Sequence, residues 1–317
     1  MENNSGKNNL YGSHILRADQ FNIEEISYII AETRRMRDLV KHQQTLNILS
    51  GRIMTALFYE PSSRTYGSFI SSMQRLGGGF IPIQGVVYSS VAKGESLPDT
   101  ICTFSKLSDV IVLRHSIEGA AEIASRVSSV PIINAGYGIG EHPTQALLDL
   151  FTITDRLDTP NGKIFTLVGD LKYGRTVHSL ITLLFQYKPK IIYLISPIEL
   201  KLPQKYLKKG LSKGVQIIEK ESLGECLDQT DVLYMTRIQK ERFTEAKMYD
   251  ALKDQFIITP HVMNSLKKSA ILMHPFPRVS EITTDVDCDP RALYLREQIQ
   301  NGMYVRMALL SLILNKQ

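Results

Sequence analysis

The chain has 317 residues, 43% apolar and 22% charged, with a formal charge of +5; this excludes a disordered, collagenous or coiled-coil protein and sets an expectation of two domains of roughly 150 residues each. No Lys/Arg block is longer than a pair, which favours small anionic partners over nucleic acid, and Cys102, Cys226 and Cys288 lack CxxC spacing, which argues for reduced thiols rather than a disulfide frame or zinc site. No apolar run approaches the roughly 20 residues of a membrane span, and the opening "MENNSGKNNLYG" lacks the apolar core of a signal peptide, so a soluble cytoplasmic protein with no membrane partner is expected.

The first strand pattern is "IMTALFY" (53–59), followed by "SSRTYGSFISSMQRLGG", a helix that starts near Ser62 or Ser63 after Pro61 and stops at the glycine run 77–79. The loop "SSVAKGESLPDT", with Ser89 and Lys93, leads into a second helix, "SLPDTICTFSKL". Strand "DVIVLR" (109–114) brings Arg114 and His115, and strand "VPIIN" (130–134) runs into a glycine-rich turn, then His142 and Gln145 at the head of helix "HPTQALLDLFTITDRL". After the turn "DTPNG" (158–162) come strand "KIFTLVG" (163–169), helix "GRTVHSLITLLFQY", and strands "KIIYLIS" (190–196) and "DVLYM" (231–235), the last followed by Thr236 and Arg237. From about Pro290 a final amphipathic helix offers Leu293, Ile299, Met303, Met307, Leu310 and Leu314 as a buried stripe.

Short continuous apolar strands separated by helices imply an α/β protein. The expected fold is two domains, each a parallel β-sheet flanked by helices, with the C-terminal helix returning to the first domain. Ligands in such folds sit at the carboxyl ends of the strands. There the helix start at "SSRT" combines free backbone N–H groups, the hydroxyls of Ser62, Ser63 and Thr65, and the Arg64 guanidinium, a donor supply that suits a phosphate. Taken alone, Ser62 or Ser63 could be only a helix cap, Arg64 a solvated side chain and His142 a structural histidine. Polar clusters at several strand ends favour a site.

The motifs "SSRT", "SSVAKGESLPDT", "LRH" (113–115), "HPTQALLDLFTI" (142–153), "GDLKYGRTVHSL" (169–180), "YMTRIQKER" (234–242), "HPFPRVSEI" (274–282) and "NGMYVRMALL" (301–310) together resemble the aspartate/ornithine carbamoyltransferase family, in the family's order and over nearly the whole chain. The resemblance implies transfer of the carbamoyl group of carbamoyl phosphate to the amino group of L-aspartate, an early step of pyrimidine synthesis, without cofactor or metal. Residues 1–143 plus 290–317 would bind carbamoyl phosphate and residues 144–289 aspartate, with reaction in the cleft between them and domain closure on the second substrate. Ser62, Ser63, Arg64 and Thr65 would cradle the phosphate. Arg114 would bridge phosphate and carbonyl oxygen, with Thr65 and His142 as further donors to that oxygen. Gln145 and the backbone carbonyls near Phe276 and Pro277 would hold the carbamoyl nitrogen, and Arg175, Arg237 and Gln239 the aspartate carboxylates. Ser89 and Lys93 resemble loop residues that reach the active site of a neighbouring subunit in a homotrimer, Ser89 toward carbamoyl phosphate and Lys93 toward aspartate and the chemistry. A regulatory chain stays open.

Independent chemistry agrees with these roles. A dicarboxylate needs two separated cations, and amine attack builds negative charge on the carbamoyl oxygen, where preorganised donors act. No His/Asp/Glu cluster has metal-ligand spacing, and no nucleophile–base pair stands out. Two positions depart from common family patterns: Tyr66 where arginine is frequent, and Ala92 where a second lysine is frequent in some members. An ornithine carbamoyltransferase would share the phosphate cradle, but Arg237, with Gln239 and Lys240, would repel a cationic side chain, and "HPFPR" differs from the "HCLP" of those enzymes. "GDLKYGRT" carries Arg175 where a P-loop has Lys, and no Asp ends "DVLYMTR" to hold magnesium. "GYGIGE" has Glu141 at the third glycine of a dinucleotide fingerprint.

Overall fold

The computed structural model describes residues 10–42, 45–85, 90–239, 249 and 256–316. The chain divides into two compact units, one comprising Met1–Thr144 and Gly302–Gln317, the other Gln145–Asn301.

In the first unit the elements run α1 (Ile23–Lys41), β1 (Ile53–Phe58), α2 (Ser63–Arg75), β2 (Gly79–Gln84), α3 (Leu97–Phe104), β3 (Val110–His115), α4 (Ala120–Val127) and β4 (Ile132–Tyr137). The sheet has the order β2-β1-β3-β4, with every pair parallel, Ala56 facing Pro82 and Val112 across the ladder. Parallel strands need crossovers, and the apolar faces of α2, α3 and α4 supply them. Leu57, Ile111, Leu113 and Ile132 from the sheet meet Ile101 of α3 and Ala124 of α4 in one core. Phe69 and Met73 of α2 are fully buried, so truncating Phe69 to alanine should cost about 3–5 kcal/mol. At the start of α1, Asn22 accepts from the Glu25 N–H while Glu25 accepts from the Asn22 N–H, a reciprocal cap.

The second unit runs α5 (Pro143–Leu157, whose first two residues belong to the first unit), β5 (Ile164–Val168), α6 (Arg175–Leu184), β6 (Ile191–Ile195), α7 (Gln204–Ser212), β7 (Ile217–Lys220), β8 (Val232–Met235), α8 (Pro260–Ser265) and β9 (Ile271–Met273). Its sheet, β7-β6-β5-β8-β9, is also wholly parallel. Its core gathers Val168, Ile195, Leu233, Met235 and Leu272 with Ile258, Met263 and Tyr294.

The last helix, α9 (Glu297–Leu314), returns to the first unit with its residues from 302 onward. There Gly12 N–H donates to Ile313 O (3.0 Å), Ser311 Oγ to Glu32 Oε1 (3.2 Å) and Arg306 Nη1 to Ser68 Oγ (3.0 Å), with the Arg306 guanidinium over the Phe69 ring. Every residue from Tyr304 to Leu314 is buried, so this is a helix enclosed on all sides rather than one with a single apolar stripe. Of the expected stripe, Ile299 in the first turn is 47% exposed and Leu293 precedes the helix.

The order of each sheet positions the site. In the first unit the chain moves outward from β1 to β2 and then crosses to β3, so the topology reverses between β1 and β3. In the second it moves from β5 through β6 to β7 and then crosses to β8, so the reversal falls between β5 and β8. Loops on either side of a reversal part there and leave a crevice at the carboxyl ends.

Candidate active site

The first unit places the phosphate-type donors at its reversal. Ser62 is the residue before α2, and Ser63, Arg64 and Thr65 form its first turn. Pro61 supplies no N–H, and the first-turn amides of an α-helix have no partner within it, so these side chains stand at the positive end of the α2 dipole. Arg64 and Ser63 are exposed, Ser62 half-buried and Thr65 buried. Arg114 and His115, expected just past the strand, are the last two residues of β3. Arg114 faces Phe58 in the ladder, its carbonyl accepts from Tyr59 N–H at 2.8 Å, and its Nη1 donates to Ala135 O at 3.1 Å. Its Nε lies 3.6 Å from Glu60 Oε2. Arg114 is thus held at the head of the same crevice as "SSRT". His142, buried, immediately precedes α5 and follows the turn that leaves β4. Tyr66, where the family often has arginine, packs its ring edge-on against Phe58 at 5.1 Å. Burial lowers the His115 pKa, against the opposing charge of Glu60.

The second unit places its cations in the segments that follow two adjacent strands. Arg175 opens α6 after β5, and Arg237 and Gln239 follow β8, whose Met235 pairs with Val168 of β5. Both arginines are half-buried, and a guanidinium partly withdrawn from water attracts an anion more strongly than a fully solvated one. Asp170, fully buried, ties the two loops: Oδ1 accepts from Tyr173 N–H at 2.9 Å and Oδ2 from Gln239 Nε2 at 3.3 Å. Gly169, just before it, has φ +108°, and its ideal Cβ would stand 2.1 Å from Thr236 O. Glycine is what allows β5 and β8 to send their loops off together here.

Phe276 and Pro277 lie on the loop after β9, joined by a cis peptide, with Phe276 at φ +56°. The buried His274 holds this loop: its Nδ1 accepts from Phe276 N–H at 2.8 Å and its Nε2 lies 2.7 Å from Glu281 Oε1. A backbone N–H can only donate, so Nδ1 is bare, the proton sits on Nε2, and a neutral imidazole donates to a carboxylate. Burial lowers the His274 pKa, against the bond to Glu281, with the charges of Arg278 and Arg237 adding to the lowering. Burial acts to raise the Glu281 carboxyl, yet the hydrogen bonds from His274 and backbone N–H groups, Val279 among them, outweigh it and its pKa falls. Gln145, near the start of α5, is buried and donates through Nε2 to Asp149 Oδ1 at 3.0 Å.

Thus Ser62, Ser63, Arg64, Thr65 and Arg114 gather at the reversal of the first sheet, and Arg175, Arg237 and Gln239 at that of the second. Lys93 is exposed at the end of a 3-10 turn, Ser90–Lys93. Ser89 and Lys240 lie outside the described residues. Sequence reasoning did not single out Asp149, Asp170, His274 or Glu281. For Asp149 a signal existed, since Gln145 and Asp149 stand four apart on one helix face.

Comparison with known proteins accounts for both units. The family description "Aspartate/ornithine carbamoyltransferase, carbamoyl-P binding domain" matches residues 13–155, and "Aspartate/ornithine carbamoyltransferase, Asp/Orn binding domain" matches residues 161–313. The chain belongs to the aspartate/ornithine carbamoyltransferase family. Within that family it is 46% identical over 297 residues to the aspartate carbamoyltransferase catalytic subunit of Methanocaldococcus jannaschii, covering 94% of this chain and 96% of that one. It is 50% identical over 305 residues to the multifunctional protein CAD of Squalus acanthias, and 48% identical over 310 residues to the multifunctional protein pyr1-3 of Dictyostelium discoideum. Those matches cover 96% and 98% of this chain, which spans 14% of each multifunctional protein's length. The crystal structure of aspartate transcarbamoylase from Trypanosoma cruzi in complex with carbamoyl phosphate and aspartate superimposes with a TM-score of 0.92 at 44% identity, covering 96% of this chain and 98% of that one.

Proposed function

We propose that the chain transfers the carbamoyl group of carbamoyl phosphate to the amino group of L-aspartate, giving N-carbamoyl-L-aspartate and phosphate, in pyrimidine biosynthesis. The observation that carries the choice of acceptor is the pair of half-buried arginines, Arg175 at the start of α6 after β5 and Arg237 just after β8, the two strands being neighbours in the sheet. Two cations so placed suit a dicarboxylate and repel the cationic side chain of ornithine. The first unit is the carbamoyl-phosphate-binding domain and the second the aspartate-binding domain. Relatives named aspartate carbamoyltransferase, and the T. cruzi enzyme solved with both substrates, support this reading.

Ser62, Ser63, Arg64 and Thr65 hold the phosphate with the N-terminus of α2. Arg114, Thr65 and His142 donate to the carbonyl oxygen, and Gln145 with the carbonyls of Phe276 and Pro277 accepts from the carbamoyl nitrogen. The aspartate amine attacks the carbamoyl carbon. Its nitrogen forms a bond to that carbon, the carbon–oxygen bond to phosphate breaks, and the amine's proton passes to the departing phosphate. Negative charge collects on the carbonyl oxygen in the transition state, and the donors fixed there stabilise it more than they stabilise the substrate. Neither a cofactor nor a covalent enzyme intermediate enters the scheme, which works by positioning and electrostatics.

The working assembly is a cytoplasmic homotrimer in which Lys93 and Ser89 of one subunit complete the site of its neighbour; a regulatory chain is a further partner to look for. The test is carbamoylation by the purified chain with carbamoyl phosphate and either L-aspartate or L-ornithine, in the presence of a metal chelator. Turnover of aspartate alone is expected. Turnover of ornithine would place the wrong acceptor in the second unit, and turnover of neither would reject the reaction.

A further inference from the structure

Carbamoyl phosphate has a close mimic in shape, acetyl phosphate, in which CH₃ replaces NH₂. Phosphate donors and carbonyl-oxygen donors cannot separate the two. Only acceptors aimed at the nitrogen can, and only if they keep their acceptor ends toward it.

Two backbone donors settle which way these acceptors face. Phe276 N–H ends on His274 Nδ1 (2.8 Å), and His274 N–H ends on Gln298 Oε1 (3.0 Å). With its Oε1 committed to a backbone donor, Gln298 must turn its NH₂ the other way, and Nε2 meets Asp149 Oδ1 at 2.7 Å. Asp149 is fully buried, and its Oδ2 takes the Tyr234 hydroxyl at 2.7 Å. Oδ1 is therefore an acceptor at the point where Gln145 Nε2 also reaches it, at 3.0 Å. Flipping the Gln145 amide would set oxygen against oxygen. Its Oε1 is the end left to a ligand, and among the described residues it accepts no hydrogen bond.

We propose that Asp149 is a positioning residue for selectivity. Its carboxylate fixes the amide of Gln145 and, through Gln298 and His274, steadies the loop of Phe276 and Pro277, so that only acceptors meet the NH₂ of the acyl phosphate. The proposal rests on the reading above that Gln145 and this loop hold the carbamoyl nitrogen. Without Asp149 the Gln145 amide can present either end, and the site loses the share of its preference for NH₂ over CH₃ that Gln145 supplies.

The test measures binding of two stable phosphonates that differ only at this group, phosphonoacetamide and acetonylphosphonate, by calorimetry on the intact protein. The ratio of their dissociation constants does not depend on the fraction of folded protein. The wild type should favour the amide by roughly tenfold or more, the scale of one or two hydrogen bonds and an unpaired acceptor. Gln145→Leu sets the reference, the ratio left by the carbonyls of Phe276 and Pro277 together with carbonyl basicity. Asp149→Leu should fall to that reference. Asp149→Asn should keep most of the wild-type ratio, because its Oδ1 still receives both glutamines while the Tyr234 hydroxyl turns to accept the new NH₂. If Asp149→Leu does not fold, Asp149→Ser, too short to reach Gln145, carries the same expectation.

A wild-type ratio in Asp149→Leu or Asp149→Ser beside a lowered ratio in Gln145→Leu would overturn the proposal and leave Asp149 a buried strut, whatever happens to Tm. A wild-type ratio in Gln145→Leu would overturn it differently, by removing Gln145 from the nitrogen.

Discussion

Replacing Gly169 by alanine tests the junction that carries Arg237 and Gln239. The new Cβ would stand 2.1 Å from Thr236 O, 2.8 Å from Thr236 Oγ1 and 3.1 Å from Thr236 C, and φ is +108°. Thr236 cannot swing aside, because its N–H donates to Val168 O at 2.9 Å and its hydroxyl to the same oxygen at 3.0 Å. Gly169 is equally fixed by its own N–H on Ile195 O at 3.0 Å. Reaching even 3.0 Å requires the strand ends to part by about 0.9 Å. A non-glycine residue in this backbone region costs about 1–3 kcal/mol, and overpacking against rigid backbone adds about 1–3 kcal/mol. Gly214, at φ +72° with nothing within 4 Å of its ideal Cβ, is the control, since alanine there meets only the left-handed penalty of about 1–2 kcal/mol. Urea unfolding should therefore rank Gly169→Ala below Gly214→Ala by about 1–4 kcal/mol. Kinetics should show a raised aspartate KM in Gly169→Ala, with carbamoyl phosphate binding much less affected. Equal stability of the two variants together with normal aspartate saturation would refute the packing argument.

Arg64→Ala should weaken carbamoyl phosphate binding by roughly 10- to 150-fold, the equivalent of a lost charge-assisted bond; calorimetry at fixed ionic strength checks it. Arg237→Ala should raise the aspartate KM by a similar factor while leaving carbamoyl phosphate affinity intact, so a change in the second quantity alone would misplace the pocket. Mixing Lys93→Ala and Arg64→Ala chains after dissociation, at carbamoyl phosphate too dilute for either variant alone to turn over appreciably, should restore about a quarter of wild-type activity in randomly assorted trimers, and none if each site is built from one chain. Stability should fall on acidification in two stages. The folded His274 pKa lies below its ordinary 6.5, so the unfolded chain binds the extra proton first and stability declines as pH drops below 6.5 until the folded value is passed. Glu281 is likewise depressed from 4.5, so its contribution, full above that pH, is lost as pH falls through its folded value. Glu281→Gln should remove the second stage in urea midpoints measured across the acid range.

Six of the nine strands among the described residues were legible as apolar runs, and the three that were not are all at sheet edges. β2 carries Pro82 and is exposed or half-buried along its length. β7 has no buried residue, and β9 is three residues long. β2 and β7 face solvent and so lack the continuous hydrophobicity of a buried parallel strand, whereas β9 is buried throughout but too short for its apolar run to stand out. Arg64 drew notice because it sits among hydroxyls at a helix start, whereas Arg175 and Arg237 were marked only by the motifs shared with the family. Asp170 was not singled out, because its partner Gln239 lies 69 residues away, and for Asp149 only the short link to Gln145 was visible, not those to Tyr234 and Gln298.

The return of α9 to the first unit gives the chain an order of assembly. Residues 302–316, which close around Gly12, Glu32, Ser68 and Phe69, are synthesised only after every strand and helix of the second unit. The first unit is therefore made in two pieces separated by the whole second unit. Until the later piece arrives, the seat of α9, Phe69 included, is uncovered, the kind of exposed surface that invites misassembly during synthesis.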